Sequence, residues 1–143
     1  VLVLIFLFSL VTLCVPALVW LEALLPGPIP VTVLRVLDGD TFEGQVRVWP
    51  SMQLTSLVRV RGVDAPEMHS TCFKERQQAL KAKEALQALL AQPPIELRDI
   101  AQDKYGGRIL ATISAHGEDV AAVLVLRGHA RVYTGGKRQS WCN

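Results

Sequence analysis

Three short strings in this 143-residue chain combine aspartate or glutamate with arginine. Asp38-Gly39-Asp40-Thr41 comes first, Arg59 through Asp64 to Glu67 comes second, and Asp103-Lys104-Tyr105-Gly106-Gly107-Arg108 comes last. Carboxylates can hold a hard cation or move a proton, and the planar fork of arginine matches the oxygens of a phosphate. Taken alone, each string also has an ordinary reading. The first is a turn. Arg59 lies five residues before Asp64 on an alternating strand, so the two need not share a face, and Glu67 reads as a solvated loop acid. The third resembles any polar turn between strands.

The elements around these strings decide whether they can meet. Val31 to Leu37 is rich in β-branched residues, stops at Asp38-Gly39-Asp40 and resumes over Thr41 to Val48, which predicts a hairpin with a glycine turn. Leu57 to Val63 reads as a third strand, ending at Asp64-Ala65-Pro66. From Phe73 to Ala91, Ala79, Ala82, Leu86, Leu89 and Leu90 recur at helical spacing before Pro93-Pro94. Ile95–Leu97 and Arg108–Ile113 read as strands around the third string. A second helix starts at Asp119 as N-cap and stops at Gly128. The order is β-β-β-α-β-β-α, a mainly β fold with helices. It suits a five-stranded OB-like Greek-key barrel with two helices.

Ahead of this lies a different composition. No charged residue occurs from Val1 to Leu21, and about 20 apolar residues are what a helix needs to cross a bilayer. A cleaved signal segment is the rival, but Ala17 and Ala23 give no clean small-x-small site, so an uncleaved hydrophobic helix is preferred. Cys14 follows Leu13 and is read as an ordinary apolar residue. The expected organisation is a hydrophobic anchor or signal segment over 1–25, a Pro/Gly linker over 26–30 and one domain over 31–143. Only Glu22 is charged before Pro30, so the remainder carries all 15 Lys+Arg against 12 acids, a formal +3. That suits a polyanion partner without identifying one.

Read together and in order, the strings resemble the staphylococcal nuclease (thermonuclease) family. The resemblance rests on Asp38-Gly39-Asp40-Thr41, on Arg59-Val60-Arg61-Gly62-Val63-Asp64-Ala65-Pro66-Glu67, and on Asp103 through Arg108 to Ala111. A fourth match runs from Leu124 through Gly128 to Ala130, and the whole covers about Val31 to Tyr133. It implies a calcium-dependent phosphodiesterase acting on single-stranded or locally melted DNA or RNA. Asp40, Asp64 and the backbone carbonyl of Ala65 would hold Ca2+, and Glu67 would hold or deprotonate the attacking water. Arg59 and Arg108 would grip the phosphate, with Lys104 and Tyr105 on a nucleotide phosphate.

This chain departs from the family where Tyr-Gly-Arg becomes Tyr-Gly-Gly-Arg. An added residue could turn Arg108 to the opposite strand face, but two glycines can absorb it in the turn, and Arg108 is expected beside Arg59. The family's third helix is expected to be absent, with Gly135 to Asn143 packing through Trp141. The export-type N-terminus and two cysteines in the soluble part suggest a Cys72–Cys142 disulfide, against two free thiols. His69, His116 and His129 lack ligand spacing, so zinc is not expected. Trp49 reads as a core or edge aromatic rather than a base-stacking platform. A catalytically silent nucleic-acid-binding or scaffold module tethered to a membrane is the alternative, but the acids and arginines are all present. The domain is expected to be monomeric and extracytoplasmic, or secreted if the leader is cut.

Overall fold

The computed structural model describes residues 24–143. The hydrophobic segment expected over 1–25 therefore lies almost wholly outside the described residues. Among the described residues, no helix is long and apolar enough to cross a membrane.

Strands β1 (Ile29–Val36), β2 (Thr41–Trp49) and β3 (Met52–Val60) form an antiparallel meander. Its first hairpin closes where the Leu37 and Asp38 N–H groups both donate to the Thr41 carbonyl, at 3.0 and 3.3 Å. A two-residue strand β4 (Val63–Asp64) follows, then helix α1 (Phe73–Leu90). Strands β5 (Ile95–Gln102) and β6 (Arg108–Ala115) are antiparallel to each other. β5 also pairs with β1, and β6 runs parallel to β3 with Leu57 beside Arg108 and Val60 beside Ala111. The sheet thus closes on itself as a five-stranded barrel in the order β3-β2-β1-β5-β6. Short β7 (Glu118–Asp119) flanks β6, helix α2 (Val120–Leu126) follows, and β8 (Arg131–Val132) pairs with β4.

Alternation fills the barrel. Phe42 and Val46 of β2, Val58 and Val60 of β3, Leu97 of β5 and Ala111 and Ile113 of β6 point inward and are buried. On α1, Ala79, Ala82, Leu86, Leu89 and Leu90 form the buried face, and Leu86, Leu89 and Leu90 join the barrel residues in one core. Burying each large aliphatic or aromatic side chain contributes about 1.5–3 kcal/mol. α2 is capped by the Asp119 side chain, which accepts from the Ala122 N–H at 3.2 Å, and Gly128 beyond its end takes a positive φ of 73°.

Three expectations need correction. β3 begins at Met52, not Leu57, because Met52 to Thr55 are exposed and show no alternation, while their backbone still pairs with β2. That strand also ends at Val60. Gly62 turns the chain with φ 81°, and Val63 and Asp64 pair instead with β8. Trp49 is no core residue: it is 69% exposed at the β2–β3 turn. No helix follows α2 among the described residues, and, as expected, Trp141 is buried and packs the tail.

Candidate functional site

The Asp38–Asp40 loop is pressed into the molecule by a glycine. Gly39 has no positive φ. It is required because a Cβ there would lie 2.5 Å from the Ala82 Cβ on α1 and 2.9 Å from the Ala65 Cβ. This close approach carries Asp40 into contact with the chain after β3. Asp40 is buried, its Oδ1 accepts from the Thr41 hydroxyl at 2.9 Å, and its Oδ2 accepts from the Ala65 N–H at 3.1 Å. The Val60 N–H donates to the Asp40 carbonyl at 2.8 Å, which ties the loop to β3. Arg59, also on β3, places Nη2 3.3 Å from Asp40 Oδ2. Next to them the Asp38 carboxylate accepts from the Asp40 N–H at 3.1 Å. Burial and then the charge of Asp40 push the Asp38 pKa up to about 6.

Asp64 is buried on β4 with both oxygens engaged. Oδ1 accepts from Arg138 Nε at 2.5 Å and Oδ2 from the Trp141 indole N–H at 3.2 Å. The same Arg138 guanidinium donates to the Ala65 carbonyl at 3.0 Å and to the Glu67 carboxylate. Three oxygen groups of one short segment therefore converge on a single positive charge. Burial works against that charge. The hydrogen bond and charge of Asp64, and then Glu67, outweigh it and hold Arg138 above its ordinary pKa.

Glu67 is held from behind. Its backbone N–H donates to Glu75 Oε1 at 3.0 Å, and Glu75 Oε2 accepts from the Ser70 hydroxyl at 2.6 Å. Burial of Glu75 favours its neutral form, but these hydrogen bonds and the charge of Arg138 prevail and its pKa is lowered. Cys72, the α1 N-cap, is bonded to Cys142, with the two Cα atoms 6.0 Å apart. The bond fastens the tail that carries Arg138 and Trp141 beside this segment.

Arg108 stands in a second group. Gly106 and Gly107 both take φ 69°, and the Asp103 N–H donates to the Arg108 carbonyl at 3.0 Å, so the extra residue is accommodated before β6 begins. On β3 the inward residues are Val58 and Val60 and on β6 Ala111 and Ile113, which leaves Arg59 and Arg108 on the same outer face of adjacent strands. The Arg108 guanidinium pairs with the Asp103 carboxylate and lies 5.4 Å from the Tyr105 ring, with Lys104 Nζ 4.9 Å from that ring. Among the described residues, Arg108 makes no ion pair with Asp40, Asp64 or Glu67.

The fold therefore brings Asp40, Arg59, Asp64, Ala65 and Glu67 together, with Lys104, Tyr105 and Arg108 as a neighbouring group on adjacent structure. Sequence reasoning missed Glu75 and Arg138. Arg138 follows Lys137 and lies four residues before a cysteine expected to bond at Cys72, a pairing that by itself brings the tail to the segment after Pro66. The donors suit a hard divalent ion: two buried carboxylates and a backbone carbonyl, all oxygen, two of which, Asp64 and the Ala65 carbonyl, already meet one cationic group.

A closed five-stranded barrel whose outer face combines buried carboxylates with arginines defines a small module of nuclease or nucleic-acid-binding class. The family model for staphylococcal nuclease homologues matches residues 57–141, and the chain belongs to that family. The family consists of phosphodiester-hydrolysing nucleases. The match spans Arg59, Asp64, Glu67, Arg108 and Arg138, while Asp40 lies before it. No curated protein matches the chain.

Proposed function

We propose that this protein is a calcium-dependent nuclease that hydrolyses phosphodiester bonds of single-stranded or locally melted DNA or RNA. The observation that carries the reading is the convergence of Asp64 Oδ1, the Ala65 carbonyl and the Glu67 carboxylate on the Arg138 guanidinium, a positive charge, with Asp40 hydrogen-bonded to the Ala65 N–H. Asp40, Asp64 and the Ala65 carbonyl hold Ca2+, whose chemistry is to neutralise phosphate charge as it builds. Glu67 orients a water molecule and takes its proton as the oxygen attacks phosphorus, while the P–O bond to the departing nucleoside oxygen breaks and that oxygen is protonated from solvent. Arg59 and Arg108 receive the phosphate oxygens from one face, and their forks act most strongly on the extra charge of the transition state. Lys104 and Tyr105 hold a flanking phosphate. The N-terminal segment anchors the domain outside the cytoplasm as a monomer, or releases it once cut.

The test is incubation of the full chain with single-stranded DNA and RNA, with calcium or with chelator. Calcium-dependent cleavage is expected. If neither nucleic acid is cut but both are bound, the module is a silent binder, a reading that the Arg108–Asp103 pair favours.

A further inference from the structure

The Arg138 guanidinium occupies three of the groups just assigned to the ion and to water. Its Nε takes Asp64 Oδ1 at 2.5 Å, one Nη takes the Ala65 carbonyl at 3.0 Å, and the other takes Glu67. A dication cannot share those lone pairs, and two positive charges at that separation repel strongly in a half-buried site. The tail that delivers the arginine is built to stay. Trp141 is buried, stacks under Arg131 at 3.7 Å and donates to Asp64 Oδ2, while Cys142 is bonded to Cys72. The arginine itself is freer than its anchor. Its side chain is 38% exposed, and the loop before it contains Gly135 and Gly136 at φ 106° and 83° with open space around both. The guanidinium can swing into solvent while Trp141 and the disulfide remain in place.

We propose that Arg138 is an internal competitor for the cation cradle, so that metal enters only as this guanidinium withdraws and Arg138 sets the metal affinity of the site. The inference rests on the calcium reading of Asp40, Asp64 and Ala65. Its logic is a two-state exchange: the apparent dissociation constant is the intrinsic one divided by the fraction of molecules in which the cradle is free. Linkage makes the effect reciprocal, so bound calcium must loosen Arg138 as much as Arg138 weakens calcium.

Calcium titration calorimetry on the full chain and on Arg138→Gln tests this without a turnover assay. Arg138→Gln is expected to bind calcium roughly tenfold tighter or more, as for a cradle occupied in nine molecules of ten. Arg138→Lys, which cannot span three acceptors, is expected to fall between. Hydrogen exchange of the unaltered protein gives a second arm. Saturating calcium should speed exchange over residues 135–140 while the barrel is unaffected or slowed. Equal or weaker calcium binding by Arg138→Gln, or unchanged exchange of the tail on saturation, overturns the competitor role and leaves the calcium site standing. Absence of calcium binding in both proteins removes the calcium site itself and the competition with it.

Discussion

The backbone N–H of Glu67 rests on the carboxylate of Glu75, 3.0 Å away on the first turn of α1. A buried acid with no proposed contact to substrate thus fixes the residue proposed to handle water. Glu75→Ala leaves that N–H and the Ser70 hydroxyl without their acceptor. It is expected to lower stability by about 1–3 kcal/mol and kcat roughly 10- to 100-fold, with KM little changed. Glu75→Gln, which keeps an acceptor oxygen, should recover part of both. Because the folded pKa of Glu75 is depressed, its stabilisation is present above the ordinary carboxylate range and is lost as pH falls through the folded value. Unfolding curves of the parent in acid should show this loss, and Glu75→Gln should not.

Asp38 has the opposite sign. Its pKa rises from 3.8 to about 6 in the folded protein, so this carboxyl stabilises the fold fully below 3.8 and loses that contribution as pH rises through about 6. Asp38→Asn keeps an oxygen for the Asp40 N–H and removes the titration. In chelator, the variant and parent should melt together in acid, and the variant should melt higher at pH 7 and above. A gap that fails to grow with pH would show that Asp38 is not the titrating group.

Gly39→Ala tests the close approach that delivers Asp40. Its Cβ would meet Ala82 of α1 at 2.5 Å. Overpacking of this kind costs about 1–3 kcal/mol, and relief by loop movement would draw Asp40 off Ala65. Chemical denaturation should register the stability loss, and calcium titration a weaker site.

Arg108→Lys is expected to keep the fold and lose most activity, since one ammonium cannot reproduce a two-point grip on phosphate. Circular dichroism and a cleavage assay on single-stranded DNA together check it. Near-parental cleavage at saturating calcium would leave Arg108 a structural partner of Asp103.

Reduction of the Cys72–Cys142 bond releases a loop spanning a sequence separation of 70 residues. In the chain-entropy account this removes roughly 4 kcal/mol of stability. Urea unfolding with and without reductant measures it.

Much of this architecture was legible in the residues. Ala79, Ala82 and Leu86 announce the buried face of α1, and Asp119 with Gly128 brackets α2, because local spacing and capping determine those features. The start of β3 was not legible. Met52 to Thr55 are exposed, so only backbone pairing holds that part of the strand. The first part of the site was read from the resemblance and not from local pattern: Asp40, Asp64 and Glu67 each read alone as turn or loop acids, and only their order with Arg59 and Arg108 resembles the staphylococcal nuclease family. Arg138 and Glu75 were not legible, since their partners are chosen by tertiary approach. Gly39 was read as a turn residue, but its lack of side chain serves helix packing.

The tail that reaches Asp64 also fixes when the site can exist. Asp64 meets Arg138 and Trp141 across sequence separations of 74 and 77 residues. During synthesis the β1–β3 meander precedes Asp64, which emerges with neither partner yet made. The carboxylate must wait, hydrated, until β8 pairs with β4 and brings the tail home. A chain interrupted before Gly135 could still close β1, β2, β3, β5 and β6 around Phe42 and Leu97, yet it would display an acidic notch with no indole and no guanidinium against it. Completion of this site therefore depends on the segment that follows β8, and a chain lacking that segment is distinguishable by that notch alone.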